Sequence, residues 1–460
     1  MILNDTDSAG EIAAAKARAE FIRDALPKGG LFADMSWRVS PEPFLLSAEL
    51  VHELEWLGRV SLQFYRAVNQ LYRWSVEGRQ PRWIADLLDA GKPPEVIERQ
   101  RSAAFKNEVP RVIRPDLMLT EKGFAITELD SVPGGIGVTA WLNRTYSEVI
   151  NHQSSVIGGS EGMLRGFESI FGAVKNVHII VSEESATYRP EMEWVAAQLN
   201  ATGGKTFNVQ PSTFNQFAPG DAVYRFFELF DLANVPNAAQ IFSLAEQKQI
   251  RLTPPPKTIF EEKLLFALLW NRNLREFWRQ QLGDSFFKRL LPLVPYSWVL
   301  DPTPLPPHGA IPELNLTDWQ QLKTLSQRER DLILKVSGFS SEAWGSRGVY
   351  LGTDLSQGEW SAAVEKALVA FPISPYVLQR FEKPKTVEAR WFDFEKNELK
   401  TMAARVRLCP YYFVGGEGDA ARAQLGGVLA TLVPTDKKIV HGMTDAILAP
   451  CALAKTADGK

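Results

Sequence analysis

Residues 111 to 144 read RVIRPDLMLTEKGFAITELDSVPGGIGVTAWLNR, and this run constrains the chain more than any other. Leu117, Met118 and Leu119 make a short apolar strand after Asp116. Glu121-Lys122-Gly123 is a turn, where glycine takes positive φ at no steric cost. Phe124 to Asp130 is the return strand, with side chains alternating between the two faces. Glu128 and Asp130 therefore share a face, about 7 Å apart at roughly 3.3 Å per residue. The out-and-back path of a hairpin brings Asp116 near them. Taken singly, each acid reads as an ordinary solvated strand-end residue. Together, three carboxylates at one open end repel each other unless a cation joins them. Hard oxygen ligands suit Mg²⁺, which keeps waters and phosphates as its other ligands. Arg114 precedes Asp116 by two positions, and a Pro133-Gly134-Gly135-Ile136-Gly137 loop follows Asp130. Cations, acids and a glycine loop at one sheet end are what phosphate and metal handling requires.

The remaining composition narrows the class. A chain of 460 residues exceeds what one core organises, so more than one domain is expected. A net charge of −3 gives no electrostatic case for nucleic acid or an anionic membrane surface. Cys409 and Cys451 stand far apart with no CxxC neighbour, which argues against a zinc site or a disulfide framework. The first residues lack a basic and then apolar leader pattern. No apolar run reaches about 18 residues. A cytoplasmic enzyme acting on small molecules is the expectation.

Residues 9 to 26 read as a surface helix. From Ser47 to Ser75 the apolar positions recur at spacings of three and four, so a long helix buries one wide face. Arg82 to Ala90 is a second helix, stopped by Gly91-Lys92-Pro93-Pro94. His52 on the long helix reads as a packed or surface residue. Strands at 177–181, 206–209, 223–227 and 250–253 alternate with helices at 188–199 and 238–247, the pattern of a small parallel α/β domain. No GxGxxG follows a strand, so a dinucleotide fold is unsupported. Phe260 to Leu282 reads as one helix opened by Glu261, Glu262 and Lys263. A proline-rich linker at 301–315 carries His308, read as solvent-facing.

Next comes DLILKVSGFSSEAWGSRGV, from Asp331 to Val349. A lysine, Lys335, closes an apolar strand ahead of a loop holding Gly338, Ser340, Ser341 and Gly345. That places a cation beside free backbone N–H groups, a combination that cradles phosphate. It is not a Walker A loop, because GxxxxGK[ST] is absent. A long hairpin tip is the plainer reading. Glu359 to Phe371 is an amphipathic helix, and Tyr376 to Glu382 is a strand containing Gln379 and Phe381. Strands follow at 387–394, 399–408, 411–414 and 426–431. Arg405 and Arg407 share one sheet face. The segment 441–446 has no assigned chemistry.

Arg-x-Asp, eleven intervening residues, then Glu-x-Asp and a Pro-Gly-Gly loop resembles the metal strand of circularly permuted ATP-grasp ligases, such as glutathionylspermidine synthase and glutathione synthetase. Where that family commonly has Asn, this chain has Asp130. The 331–349 run resembles the family's phosphate lysine and glycine-rich lid. The resemblance spans roughly residues 106 to 432 and leaves out the helical start. The residue pattern of 1–105 reads as a helical layer, and with it the resemblance implies an α+β and α/β multidomain fold: a metal hairpin (106–160), a small α/β pre-ATP-grasp-like domain (161–257), a lid (258–375) and a C-terminal sheet (376–455). It implies Mg²⁺ on Asp116, Glu128 and Asp130. It implies ATP held by Lys263, Lys335 and the lid loop, with adenine read at Gln379 and Phe381. Arg114 and Arg407 would stabilise an acyl phosphate formed from a carboxylate and displaced by an amine. A rival reading is a nucleotide-binding protein that keeps the fold without turnover, and a third is an enzyme that uses no nucleotide. Self-repulsion among the acids predicts at least one raised pKa. It also predicts that Glu128→Gln leaves the apo protein as stable or slightly more so.

Overall fold

A computed structural model describes residues 8–27, 37–149, 155–343, 347–437, 440 and 445–454. Gly345 and residues 441–444 therefore lie outside the described residues.

Three sheets organise the molecule. The largest has eight strands and is built on two long neighbours, Glu398–Gly415 and Arg422–Pro434. The hairpin Val112–Thr120 and Gly123–Asp130 extends it on one side, and Ile447–Leu453 with Phe44–Leu46 extends it on the other. The 398–415 strand is continuous where the sequence suggests two pieces. Pro410 is accommodated close to a register shift between Tyr411 and Tyr412, the bulge that lets a proline sit inside a sheet. The Ile447–Leu453 strand is unanticipated by the sequence reading.

Helix Ala48–Val76 covers one face of this sheet and buries Leu54, Leu57, Val60, Phe64, Val68 and Leu71. The Ser47 hydroxyl caps it by accepting from the Leu50 N–H. Gly58 is where helix and sheet approach most closely: an added Cβ would lie 2.6 Å from the Tyr412 ring. Tyr412 Oη donates to the Leu54 carbonyl at 2.5 Å across that contact. His52, on the outer face, is exposed.

Helices Ile136–Val149 and Gly162–Ser169 pack on the other face and carry the parallel domain. The expected loop at 133–137 is therefore shorter: after residues 131–135 the chain enters a helix at Ile136. The parallel sheet has the order Thr206–Pro211, Asn176–Val181, Ala222–Phe226, Arg251–Thr253. Its two central strands, Asn176–Val181 and Ala222–Phe226, are buried on both faces, as covered parallel strands must be.

The third sheet is antiparallel and joins Ser297–Val299, Leu332–Val336, Val349–Leu351 and Tyr376–Arg380. The strand holding Gln379 therefore belongs to the lid sheet. Helix Gln357–Ala370 seals this sheet with Trp360, Val364 and Leu368, and its capping box is Ser356 with Glu359. The expected helix over 260–282 is broken. A 3₁₀ turn at Thr258–Phe260, a helix at Leu265–Trp270, a second turn at Arg272–Leu274 and a helix at Arg275–Leu282 replace it. Asn271 causes the break: it is extended (φ −63°, ψ 120°), and its side chain accepts from the Asn273 N–H to start the next turn.

Candidate functional site

The three sheets meet around a cavity of about 450 Å³. The hairpin forms one wall. Arg114 stands opposite Asp130, and Asp116 opposite Glu128, with a register shift just after Asp116. All four line the cavity. Their charges are matched closely. Arg114 Nε is 3.0 Å from Asp116 Oδ1, and its Nη2 is 2.9 Å from Asp130 Oδ2. Arg407, from the neighbouring long strand, donates to Asp116 Oδ2 at 3.0 Å. Burial disfavours the Arg114 charge, but Asp116 and Asp130 outweigh it and hold the guanidinium well above its ordinary range. Asp130 is raised, first by burial and against the pull of Arg114. Cys409 lies 3.5 Å from Asp116 Oδ1, and burial pushes its thiol up to about 12, so it stays protonated.

The lid side supplies the lysines. Lys263 Nζ is 3.0 Å from Glu128 Oε1 and donates to the Ala343 carbonyl at 2.7 Å, tying hairpin to lid loop. Enclosure raises the pKa of Glu128, but Lys263 and Lys335 more than reverse this and leave it below the usual carboxylate value. Lys335, on the strand Leu332–Val336, donates among the described residues only to neutral oxygens: Thr127 O at 3.1 Å and Gln379 Oε1 at 3.0 Å. Burial lowers its pKa, and Glu128 offsets only part of that.

The start of the lid loop is anchored behind the lysines. Ser337 Oγ donates to Glu262 at 2.5 Å and accepts from the Leu264 N–H at 2.9 Å. Glu262 is held in turn by buried Lys92 at 2.5 Å, a residue of the helical layer. Gly338 has φ +73°, and a Cβ there would lie 2.0 Å from the Glu262 carboxylate. Only glycine fits the conformation and the space.

The structure places Arg114, Asp116, Glu128, Asp130, Lys263, Lys335, Phe381 and Arg407 on this one cavity. Gln379 stands directly behind Lys335. Gly338, Ser340 and Ser341 belong to the lid loop but do not line the cavity. Arg405 is elsewhere on its strand and donates to the Lys437 carbonyl. Among the described residues no group of three His, Cys, Asp or Glu is arranged to hold a metal ion. The three hairpin acids are paired with cations instead.

Residues beyond the sequence reading complete the walls. Glu228 and Glu261 line the side formed by the parallel domain. Glu261 is 2.7 Å from Arg225 and accepts from the Leu229 N–H. Glu191 is fully buried and accepts from the Gly135 and Val138 N–H groups at 2.7 and 3.2 Å. It holds the Pro-Gly-Gly turn at the start of helix Ile136–Val149, and burial pushes its pKa up to about 7. A usable signal did exist for Glu228. It lies two residues past a buried parallel strand, and ligands in such sheets gather beyond the carboxyl ends of strands.

No protein-family model matches the chain, and no curated protein matches it. Among solved structures, a glutathione synthetase-like effector from Globodera pallida, in its apo form, is similar over 98% of this chain and 98% of its own, with a TM-score of 0.58 and 11% identity. The two share a fold. A candidate gamma-glutamylcysteine synthetase from Methylobacillus flagellatus covers 80% of this chain and 83% of its own at 12% identity, with a TM-score of 0.37, too low to argue from. The shared fold spans the helical layer, the parallel domain and the lid. The helical start, which the sequence resemblance leaves out, is thus part of a common architecture. Among the described residues no helix is long and apolar enough to cross a membrane.

Proposed function

We propose that this chain is a Mg²⁺- and ATP-dependent carboxylate–amine ligase of circularly permuted ATP-grasp type. It would act through an acyl phosphate on a small amino-acid, peptide or polyamine-like substrate. The observation that carries this reading is the convergence of Lys263, Lys335, Arg114, Arg407 and three hairpin carboxylates, from four separate stretches of chain, on one cavity. The fold shared with a glutathione synthetase-like effector supports it.

The lysine side of the cavity supports an anionic ligand. Lys335 is a buried ammonium whose hydrogen-bond partners are neutral oxygens, so an anion delivered there meets a charge that Glu128 compensates only in part. A volume of about 450 Å³ is within the range of small-molecule sites. Lys263 and Lys335 would hold phosphate oxygens, and Gly338, Ser340, Ser341 and Gly345 would close over them. Phe381 would face the base, and Gln379, behind Lys335, would hold that lysine in place. Asp116, Glu128 and Asp130 offer oxygen donors of the kind Mg²⁺ takes, but Arg114, Arg407 and Lys263 hold them, so they would meet the ion only on exchanging those partners, Lys263 passing from Glu128 to phosphate. Bound Mg²⁺ would neutralise charge across the phosphates during transfer. Arg114 and Arg407 would hold the carboxylate end and its tetrahedral adduct. Amine attack needs no covalent nucleophile from the protein.

Calorimetric titration with Mg²⁺-ATP tests the reading at its first step, and saturable binding below millimolar is expected. No binding at millimolar nucleotide would remove the case for a ligase. Given binding, phosphate release should rise when the correct acid and amine are supplied together from a panel of amino acids and polyamines.

A further inference from the structure

The parallel sheet has one topological switch point. From Asn176–Val181 the chain moves to Thr206–Pro211 on one side, then crosses back to Ala222–Phe226 on the other. Beyond the carboxyl ends of the two strands that flank this point, a crevice opens where ligands of parallel α/β sheets bind. Here that crevice is one end of the cavity. Ser185 and Tyr188 follow the first strand, Glu228 follows the second, and Asp130 and Ser131 face them from the hairpin wall.

Two groups at this end are left without partners. Ser131 is 2% exposed, lines the cavity, and its hydroxyl makes no hydrogen bond. The Glu228 carboxylate makes no hydrogen bond or ion pair among the described residues, and only its backbone carbonyl is engaged, by the Asp231 N–H. The other cavity carboxylates are all engaged: Asp116 and Asp130 with arginine, Glu128 with Lys263, Glu261 with Arg225. Enclosure, then the nearby charges of Glu261 and Asp130, push the Glu228 pKa well up. A bound cation would relieve both effects.

We propose that Glu228 and Ser131 form a subsite for the ammonium group of a primary aliphatic amine, at the end of the cavity built by the parallel domain. An ammonium carries three N–H donors and accepts partners singly: one carboxylate and one hydroxyl satisfy two of them. A metal ion needs converging ligands, and no three acids converge here among the described residues. The Tyr188 and Phe226 rings, in edge contact at 5.8 Å, lie at the same end as an apolar bed for an alkyl chain. The subsite rests on the ligase reading only in that it names the class of the attacking substrate. Its recognition chemistry requires no nucleotide.

The full chain is titrated calorimetrically, without nucleotide, with n-butylamine and 1,4-diaminobutane, and with n-butanol as the neutral control. The wild type is expected to bind both amines saturably and not the alcohol. Glu228→Gln should weaken the amines at least tenfold and Ser131→Ala about threefold, each with cooperative unfolding retained. Glu228→Asp, which keeps the charge, should recover part of the loss. Equal amine affinity in wild type and Glu228→Gln overturns the proposal. So does absence of amine binding to the wild type, or saturable MgCl₂ binding that Glu228→Gln abolishes. The wild-type Mg²⁺-ATP titration separates the two readings. Amine binding without nucleotide binding keeps the subsite and removes the ligase, and the reverse outcome removes the subsite alone.

Discussion

The hairpin wall and the lid wall face the same cavity with opposite charge habits. On the hairpin wall every acid has a cation: Arg114 serves Asp116 and Asp130, and Arg407 serves Asp116 again. On the lid wall Lys335 has only a backbone carbonyl and an amide oxygen. A closed ion network is built into the fold and costs stability when one member is removed. A buried cation with neutral partners already bears its desolvation cost, which an arriving anion relieves. The hairpin charges therefore hold the ligand-free fold together and must exchange partners before they meet a ligand, whereas Lys335 gives up no ion pair to do so.

The sharpest break is Arg114→Met. Asp130 would lose its cation inside the cavity, while Asp116 keeps Arg407. We expect a loss of about 3 kcal/mol in denaturant unfolding, the low end for a buried pair stripped of one partner. A loss under 1 kcal/mol would show that the network is not structural and dissolve the contrast.

Glu191 extends the structural wall through a neutral route. It holds the turn whose Gly134 carbonyl accepts from Arg114 and from Tyr411. Its pKa is near 7 in the fold against an ordinary value of 4.5. A carboxyl that binds its proton more tightly when folded lends stability at low pH and loses it as pH rises from the unfolded value to the folded one. The stability advantage of wild type over Glu191→Gln should therefore fall by up to about 3 kcal/mol between pH 4.5 and 7, at 1.36 kcal/mol per unit. Thermal or urea unfolding across that range checks it, and parallel profiles would place the proton elsewhere.

On the lid wall, Lys335→Met should weaken nucleotide roughly 10- to 100-fold, or about 1.4 to 2.8 kcal/mol, while leaving unfolding within about 1 kcal/mol of wild type. An unchanged nucleotide affinity in titration would remove Lys335 from the site. A large stability loss with intact binding would reverse the assignment of the two walls.

The sequence carries one wall better than the other. The hairpin is legible because its alternation, turn glycine and acids sit within thirty-odd residues, so local rules decide them. The lysine-loop run is legible for the same reason. What escapes are relations set at a distance. Helix Ile136–Val149 begins inside a glycine-rich run that reads as loop, and its first turn is secured by Glu191, some fifty residues on. Lys92 reads as part of a helix stop, yet its ammonium is buried against Glu262 beneath the lid. Glu228 follows a strand with no motif around it, and only the crossing order of the parallel sheet gives it a place. The Phe260 to Leu282 periodicity is genuine, but Asn271 breaks it, and an asparagine inside an apolar pattern is a weak local signal.

The smallest effect concerns Glu128, and it corrects the expectation drawn from the sequence. Three unpaired acids would repel, and removing one charge would stabilise the apo protein. Glu128 instead faces Lys263 at 3.0 Å, with its side chain 38% exposed. Its pKa is depressed, because Lys263 and Lys335 outweigh the effect of enclosure. A depressed carboxyl contributes stability above its unfolded value and loses it as pH falls through the folded one. Glu128→Gln should therefore destabilise slightly near pH 7, by less than about 1 kcal/mol given solvent screening of the pair. The gap should close as the pH falls below the ordinary carboxylate value and through the lower folded one, beyond which Glu128 is protonated in both states. A variant more stable than wild type at pH 7 would mean that repulsion dominates the hairpin after all. A loss well above 1 kcal/mol would move Glu128 into the closed network with Asp116 and Asp130. Only the intermediate result leaves Glu128 as the acid that can release its lysine to a phosphate.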